Sequence, residues 1–238
     1  TVPIDEDRWQ VEPFGLTEKD NRFYGLGSCD MKSFFAVIIE ALKSLDRNRF
    51  QQPLIILATA DEETSMAGAK AIASHASRYG INNARFAVVG EPTDMQPIRM
   101  HKGMMMEAIQ LTGQAGHSSD PGLGNNALEA MHRVMAELMI WRDELQSRYH
   151  NPMFEVPVPT MNFGHIHGCD NPNRICGSCE LQIDIPPLPG MKIDDLRHEM
   201  RNRLKRVLHE TGVTFNTVAL FDGVNATETD RHSELVKF

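Results

Sequence analysis

Three groups of acidic residues each follow a short apolar or glycine-rich stretch, and they contain Asp30, the pair Glu62 and Glu63, and Glu91. Loops at the carboxyl ends of the strands in an open α/β sheet line its ligand crevice, so we expect these groups to converge. Converging carboxylates repel each other unless a cation lies between them. The pattern therefore predicts a metal site, with Glu62 beside a ligand as the natural general base.

Each of these carboxylates also has an ordinary explanation, as a solvated loop charge or, for Asp30, as a helix cap. Carboxylates alone favour a hard cation such as magnesium or manganese, whereas zinc requires imidazole as well. The only histidine in residues 1–100 is His75, which lies inside a predicted helix. These residues alone therefore do not supply a zinc site.

The elements that must position these groups follow from the hydrophobic pattern. Helical spacing of apolar residues over 34–45 places Asp30 at or just before a helix N-terminus. Apolar runs at 54–58 and 86–89 are typical of buried strands, and residues 66–77 predict a helix between them. Strands that alternate with helices predict an α/β domain with a mostly parallel sheet.

The pattern changes after residue 100. It predicts a strand at 104–112, a helix at 127–145, strands at 160–167 and 180–185, a helix at 193–209 and a strand at 213–218. This β-α-β-β-α-β order is that of a ferredoxin-like domain. We therefore predict a catalytic α/β domain at 1–100, an inserted domain at 101–218, and a return to the first domain at 219–238.

Composition limits the partners. A formal net charge of -8 and a pI of about 5.7 argue against nucleic acid or an anionic membrane. Apolar runs stay well short of the roughly 20 residues that span a bilayer, so we expect a soluble, cytoplasmic protein. The chain begins without a methionine and ends within an amphipathic pattern, so we predict that it is an internal fragment. Four cysteines do not make a secreted disulfide framework, so reduced thiols are predicted.

Cys176 and Cys179 form a CxxC pair, and with Cys169 and the pair His165 and His167 they offer a rival metal or redox site. However, this CxxC leads into a strand, whereas a thioredoxin-type pair follows a strand and opens a helix. Two cysteines three positions apart in a strand also lie on opposite faces. A structural role is therefore the favoured interpretation.

A histidine and a polar turn in the second half are further candidates. His117 is followed by two serines that lack the GxSxG context of a nucleophile elbow, so serine hydrolase chemistry is disfavoured. Taken alone, His117 is typical of a turn histidine. Asn173 and Arg174 lie in a polar turn, and Arg174 is able to bind a carboxylate.

Several sequence blocks resemble the zinc-dependent aminoacyl deacylases and carboxypeptidases that share a dimetal domain with an inserted lid and dimerisation domain. The blocks are YGLGSCDMK at 24–32, ILATADEETSMAGAK at 56–70, GEPT at 90–93, HKG at 101–103, GHSSDP at 116–121, FGHIHGCDNPNRIC at 163–176 and PLPGM at 187–191. The resemblance runs along essentially all 238 residues. It implies a zinc-exopeptidase-like fold and an enzyme that hydrolyses an N-acyl amino acid. It also implies two zinc ions per subunit, for which cobalt can substitute, and a homodimer formed through the inserted domain.

The resemblance also implies roles for the acidic residues. Asp30 resembles the carboxylate that bridges the two zinc ions, and Glu63 and Glu91 resemble terminal ligands, one per ion. Glu62 resembles the base that deprotonates the bridging water. The zinc-binding histidines of the family match no position within residues 1–238, so we expect this chain alone to be inactive.

In the inserted domain, His117 resembles the lid histidine that reaches across the dimer to stabilise the oxyanion. Asn173 and Arg174 match positions near the substrate carboxylate. Two alternatives stay open. One is a sibling deacylase or exopeptidase of the same fold, and the other is a non-enzymatic dimerisation or binding module.

Overall fold

The computed structural model describes residue 4, residues 8–63 and residues 66–237. The chain divides into two compact units, Thr1–Pro97 and Ile98–Phe238. The predicted division into a catalytic domain, an insertion and a return at 219–238 stays a prediction. None of the described helices combines the length and the apolar character needed to cross a membrane.

The first unit contains two short strands and two α-helices. They are β1 (Thr17–Lys19), β2 (Arg22–Tyr24), α1 (Ser33–Lys43) and α2 (Ala67–Ser74), with short 3-10 helices at Arg47–Arg49 and Ile81–Asn83. β1 and β2 form an antiparallel hairpin. The helix predicted after Asp30 is confirmed by α1, and α2 lies within the helix predicted at 66–77.

The apolar runs at 54–58 and 86–89 do not form strands, so this prediction was wrong. Ile55 and Val88 are 41% and 67% exposed, and neither run belongs to a sheet of the described residues. A parallel strand is stable only when neighbours satisfy its N–H and C=O groups and helices cover both faces. An apolar run therefore predicts a strand only where those partners are present.

The second unit contains the six helices and strands predicted from the sequence, in the predicted order, and two further short strands that were not predicted. They are β3 (Met100–His101), β4 (Met106–Thr112), α3 (Ala127–Arg148), β5 (Asn162–Gly168), β6 (Ser178–Asp184), α4 (Ile193–Leu208), β7 (Thr214–Ala219) and β8 (Thr227–Glu228), with a short 3-10 helix at Pro121–Leu123. β4, β5, β6 and β7 form an antiparallel sheet in the order β5-β6-β4-β7, and β3 pairs with β8. The molecule is therefore of mixed α/β class.

The core of the second unit explains why its elements were predictable. Alternate strand residues such as Ile109 and Leu181 point into a core shared with α3 and α4. Trp141 of α3 is fully buried there. α3 begins at a capping residue, Asn126, whose side-chain oxygen accepts hydrogen bonds from two backbone N–H groups of the first turn.

Candidate functional site

Asp30 lies three residues before α1, in a turn stabilised by backbone hydrogen bonds. The backbone N–H of Lys32 donates to the carbonyl of Gly27 at 2.9 Å, and Gly27 has a φ of 82°, which favours glycine. The Asp30–Met31 peptide is cis. The side chain of Asp30 is exposed.

A glycine contact brings the loop that carries Glu91 against α1. A Cβ atom on the buried Gly90 would lie 2.1 Å from the ring of Phe34, which is in the first turn of α1. Only glycine allows this approach. The loop of Glu91 therefore packs beside the helix that Asp30 precedes.

The pair Glu62 and Glu63 lies just before α2, and its loop is attached to that helix. The N–H of Gly68 donates to the carbonyl of Ala60 at 3.3 Å. A Cβ on Gly68 would lie 2.5 Å from the same oxygen, so a larger residue would separate the loop from the helix. Residues 64 and 65, between the pair and α2, lie outside the described residues.

Electrostatics show that the acidic groups influence one another. Partial desolvation raises the pKa of Glu91 above its usual range, and repulsion from Asp30, Glu62 and Glu63 adds to the rise. These three carboxylates therefore lie close enough to Glu91 to oppose its ionisation. Their roles as metal ligands and general base remain predictions.

The described residues do not by themselves fit zinc. Within residues 8–63 and 66–237, no three acidic, histidine or cysteine side chains are gathered closely enough to hold a metal ion. His75 follows α2, and its Nδ1 lies 2.9 Å from the carbonyl oxygen of Ala71, so it is engaged in the helix end. The carboxylates present are ligands for a hard cation, and no imidazole is provided beside them.

The second unit brings His117, Asn173 and Arg174 together through two paired loops. Ser118 N–H donates to the carbonyl of Asn173 at 3.0 Å, and His117 and Arg174 form an antiparallel bridge. Ile175 N–H donates to the carbonyl of Gly116 at 2.8 Å. His117 thus shares one exposed edge with Asn173 and Arg174, which lie more than 50 positions further along the sequence.

The hydrogen bonds of His117 define its neutral tautomer. The backbone N–H of Ser119 donates to Nδ1 at 3.3 Å, and the Ser119 hydroxyl lies 2.8 Å from the same nitrogen. Because a backbone N–H can only donate, Nδ1 is an acceptor and the proton of the neutral ring is on Nε2. The exposed His117 therefore presents an N–H donor to its surroundings.

Arg174 is positioned by the turn that precedes it. Its backbone N–H donates to the carbonyl of Asn171 at 3.1 Å, and Asn171 Oδ1 accepts from Asn173 N–H at 3.2 Å. Arg174 Nη1 donates to Asp170 at 2.6 Å. A guanidinium has five N–H donors in a planar fork, so this ion pair leaves donor capacity for a carboxylate.

A disulfide joins Cys169 to Cys176, with Cα atoms 5.0 Å apart, so the prediction of reduced thiols was wrong for this pair. The physical reason is that the chain leaves β5 and returns before β6, which brings the two ends of the loop together. Cys179 is buried and free, so the CxxC pair does not bond to itself. The sequence signal for the disulfide was the Cys169–Cys176 spacing around a polar turn.

Another polar cluster, which sequence reasoning did not find, lies on the sheet. Glu180 accepts hydrogen bonds from Gln182 and Gln110, each at 2.8 Å. These bonds lower the pKa of Glu180, and the nearby His165 and His167 lower it further. The two histidine rings are stacked 6.4 Å apart. The cluster depends on cross-strand register, which the sequence pattern alone does not give.

One segment of the chain matches a known protein family. Residues 99–212 match the peptidase dimerisation domain family. This segment contains β3 to α4 and both paired loops. A solved hydantoinase/carbamoylase family amidase from Burkholderia ambifaria aligns with 56% of this chain and 31% of its own length, at 18% identity and a TM-score of 0.46.

Curated proteins are similar to this chain over most or all of its length. Acetylornithine deacetylase of Edwardsiella ictaluri (strain 93-146) is 48% identical over 237 residues, which are 100% of this chain and 61% of that protein. Acetylornithine deacetylase of Pectobacterium carotovorum subsp. carotovorum (strain PC1) is 55% identical over 196 residues, covering 82% of this chain and 50% of the relative. The resemblance predicted from the motifs is therefore confirmed. The chain spans between half and about three fifths of the length of these curated relatives.

Proposed function

We propose that this chain is part of a metal-dependent amidohydrolase that removes the acetyl group of N2-acetyl-L-ornithine, giving L-ornithine and acetate in arginine biosynthesis. The observation that carries the proposal is 48% identity over 237 residues to a curated acetylornithine deacetylase. The enzyme class also agrees with the match of residues 99–212 to a peptidase dimerisation domain.

In the proposed architecture, residues 1–100 and 219–238 contribute to a zinc-exopeptidase-like domain. Residues 101–218 form an inserted ferredoxin-like lid and dimerisation domain. The strand order β5-β6-β4-β7 and the β-α-β-β-α-β sequence of elements support the second part.

Asp30, Glu63 and Glu91 are the proposed metal ligands, and Glu62 is the proposed general base. Desolvation and the repulsion from Asp30, Glu62 and Glu63 both raise the pKa of Glu91, and a cation bound beside these groups would oppose that rise. We assign two zinc ions per subunit to the full-length protein, for which imidazole ligands must be added to the residues described. Glu62 takes a proton from the attacking water and delivers it to the leaving amine.

His117, Asn173 and Arg174 are proposed to act on the substrate across a homodimer. The Nε2–H of His117 is a donor suited to the oxyanion that forms on the amide carbonyl. Arg174 and Asn173 suit the α-carboxylate of an N-acyl amino acid. Their common position on the paired loops supports a joint role.

We further propose a cytoplasmic homodimer that acts on a small molecule and binds neither nucleic acid nor membrane. β5 is an edge strand with mostly exposed residues, and an unpaired strand edge is a natural surface for association. The match of residues 99–212 to a dimerisation domain supports the same assembly.

The test compares residues 1–238 with a protein extended at both ends, and it measures zinc content and acetylornithine deacetylation. We expect activity and about two zinc ions only in the extended protein. Glu62→Gln should lower its kcat/KM by about 10²–10⁴ with metal retained, whereas the exposed control Glu18→Gln should not. Turnover by residues 1–238 alone, or full activity of Glu62→Gln, would contradict the proposal.

The same experiment separates the alternatives. Hydrolysis of succinyl-diaminopimelate or dipeptides, with acetylornithine left intact, would identify a sibling deacylase or exopeptidase. An extended protein that dimerises but has no metal and no hydrolase activity would identify a dimerisation or binding module.

A further inference from the structure

The loop of residues 169–176 has one fixed end and one exposed end. At the fixed end, Cys176 is 4% exposed, and its carbonyl accepts from Ala127 N–H at the start of α3, at 2.8 Å. At the other end, Cys169 follows the edge strand β5 and is exposed. The disulfide ties this exposed end to the core.

The tied loop is the one that positions His117 against Arg174. Ser118 N–H and Ile175 N–H donate across the two loops, to Asn173 and Gly116 respectively. These backbone hydrogen bonds join the two loops, and the disulfide encloses one of them. A closed loop of this kind restricts the conformations that compete with the paired arrangement.

We propose that the Cys169–Cys176 disulfide is a redox site that takes a dithiol reductant, and that its reduction loosens the paired loops. Any effect on substrate affinity rests on the proposed function. The bond is suited to exchange because one sulfur belongs to an exposed residue and the other is anchored. Cys179 is buried, and burial raises its pKa, so it competes poorly as an attacking thiolate.

The exchange balances as follows. A thiolate of the dithiol attacks the Cys169 sulfur, the S–S bond breaks, and Cys176 leaves as a thiolate that takes up a proton. The second thiol of the reductant then attacks the mixed disulfide and releases Cys169. The protein gains two electrons and two protons, and the dithiol becomes a disulfide. A disulfide oxidant reverses the reaction.

The test measures amide hydrogen exchange at Ser118 and Ile175 in this chain, before and after dithiothreitol. We expect reduction to raise both exchange rates about tenfold. Without reductant, the Cys169→Ser variant should already show the faster exchange of the reduced protein. Cys29→Ser, which removes a thiol outside the disulfide, should respond to dithiothreitol like the unmodified chain. Equal exchange in both redox states, or four titratable thiols in the denatured air-oxidised protein, would overturn the proposal.

Activity gives a separate measurement in the extended protein. Without reductant, Cys169→Ser should raise KM for acetylornithine about three- to tenfold, because Arg174 suits the substrate carboxylate, and should also lower kcat, because His117 suits the oxyanion; Cys29→Ser should serve as the control. If the extended protein does not hydrolyse acetylornithine, the proposed function fails while the exchange rates still decide the redox proposal. If KM is unchanged although exchange is faster, the loop loosens but does not bind the substrate.

Discussion

Removal of Arg197 should destabilise the second unit more than removal of any exposed arginine of the same helix. Glu107 is fully buried in β4, and its Oε1 accepts a hydrogen bond from Arg197 Nε at 2.6 Å. Its other oxygen, Oε2, has no hydrogen-bond partner among the described residues. Arg197 also donates to the carbonyls of Phe221 and Asp222 after β7.

Arg197→Met leaves the Glu107 carboxylate buried without its cation, which costs about 3–5 kcal/mol in comparable cases. That is a large part of the roughly 5–15 kcal/mol that stabilises a typical domain. With a urea m-value of about 2 kcal/mol/M, the unfolding midpoint should fall by about 1.5–2.5 M. Trp141 is buried in the same unit, so its fluorescence in a Trp9→Phe background reports the transition.

The matched control is Arg201→Met, because Arg201 lies on the same helix and makes one exposed hydrogen bond, to Thr217 at 2.9 Å. It should cost less than about 1 kcal/mol. The double variant Glu107→Leu with Arg197→Met should recover most of the loss, since no buried charge remains. Equal midpoints for Arg197→Met and Arg201→Met would refute the reasoning.

Two further predictions concern packing and charge. Gly90→Ala should destabilise the acidic loop of the first unit by about 1–3 kcal/mol, because the added Cβ would meet the ring of Phe34. The control is Gly15→Ala, whose added Cβ would come no closer than 3.4 Å to another residue. Equal thermal stabilities of the two variants would contradict this prediction. In the second unit, a hydrogen bond from Arg203 lowers the pKa of Glu144 in the folded protein. The ion pair therefore stabilises the fold above the pKa of glutamate in the unfolded chain, and this stabilisation is lost as the pH falls through the lower pKa of the folded state. Between pH 7 and pH 3, the free energy of unfolding from urea titrations should therefore fall less in Arg203→Leu than in the unmodified chain. An equal fall in both proteins would exclude this contribution.

The second unit was largely predictable because the hydrophobic pattern within each element indicates whether it is a helix or a strand. The stripe of α3 and the alternation of β4 each bury one face against a shared core, so local periodicity and the final fold agree. The runs at 54–58 and 86–89 carry no such evidence, because a continuous apolar segment does not specify its partners. Their predicted strands were wrong for that reason.

The site residues named from the sequence stay predictions, and their arrangement could not be read from the sequence. The pairing of His117 with Arg174 depends on backbone hydrogen bonds between two loops, and neither loop has a periodic pattern. The sequence analysis predicted reduced thiols and so did not find the Cys169–Cys176 bond. The disulfide depends on where β5 ends and β6 begins, which is a property of sheet register.

The two candidate sites differ in what stabilises them. The paired loops of the second unit are joined by backbone hydrogen bonds and a disulfide, so their arrangement requires no ligand. The acidic loops of the first unit are positioned by close backbone approaches at Gly68 and Gly90, while their carboxylates oppose the ionisation of Glu91. A cation bound among these carboxylates would offset that repulsion. Removal of metal from the extended protein should therefore loosen the acidic loops and leave the loops of His117 and Arg174 in place.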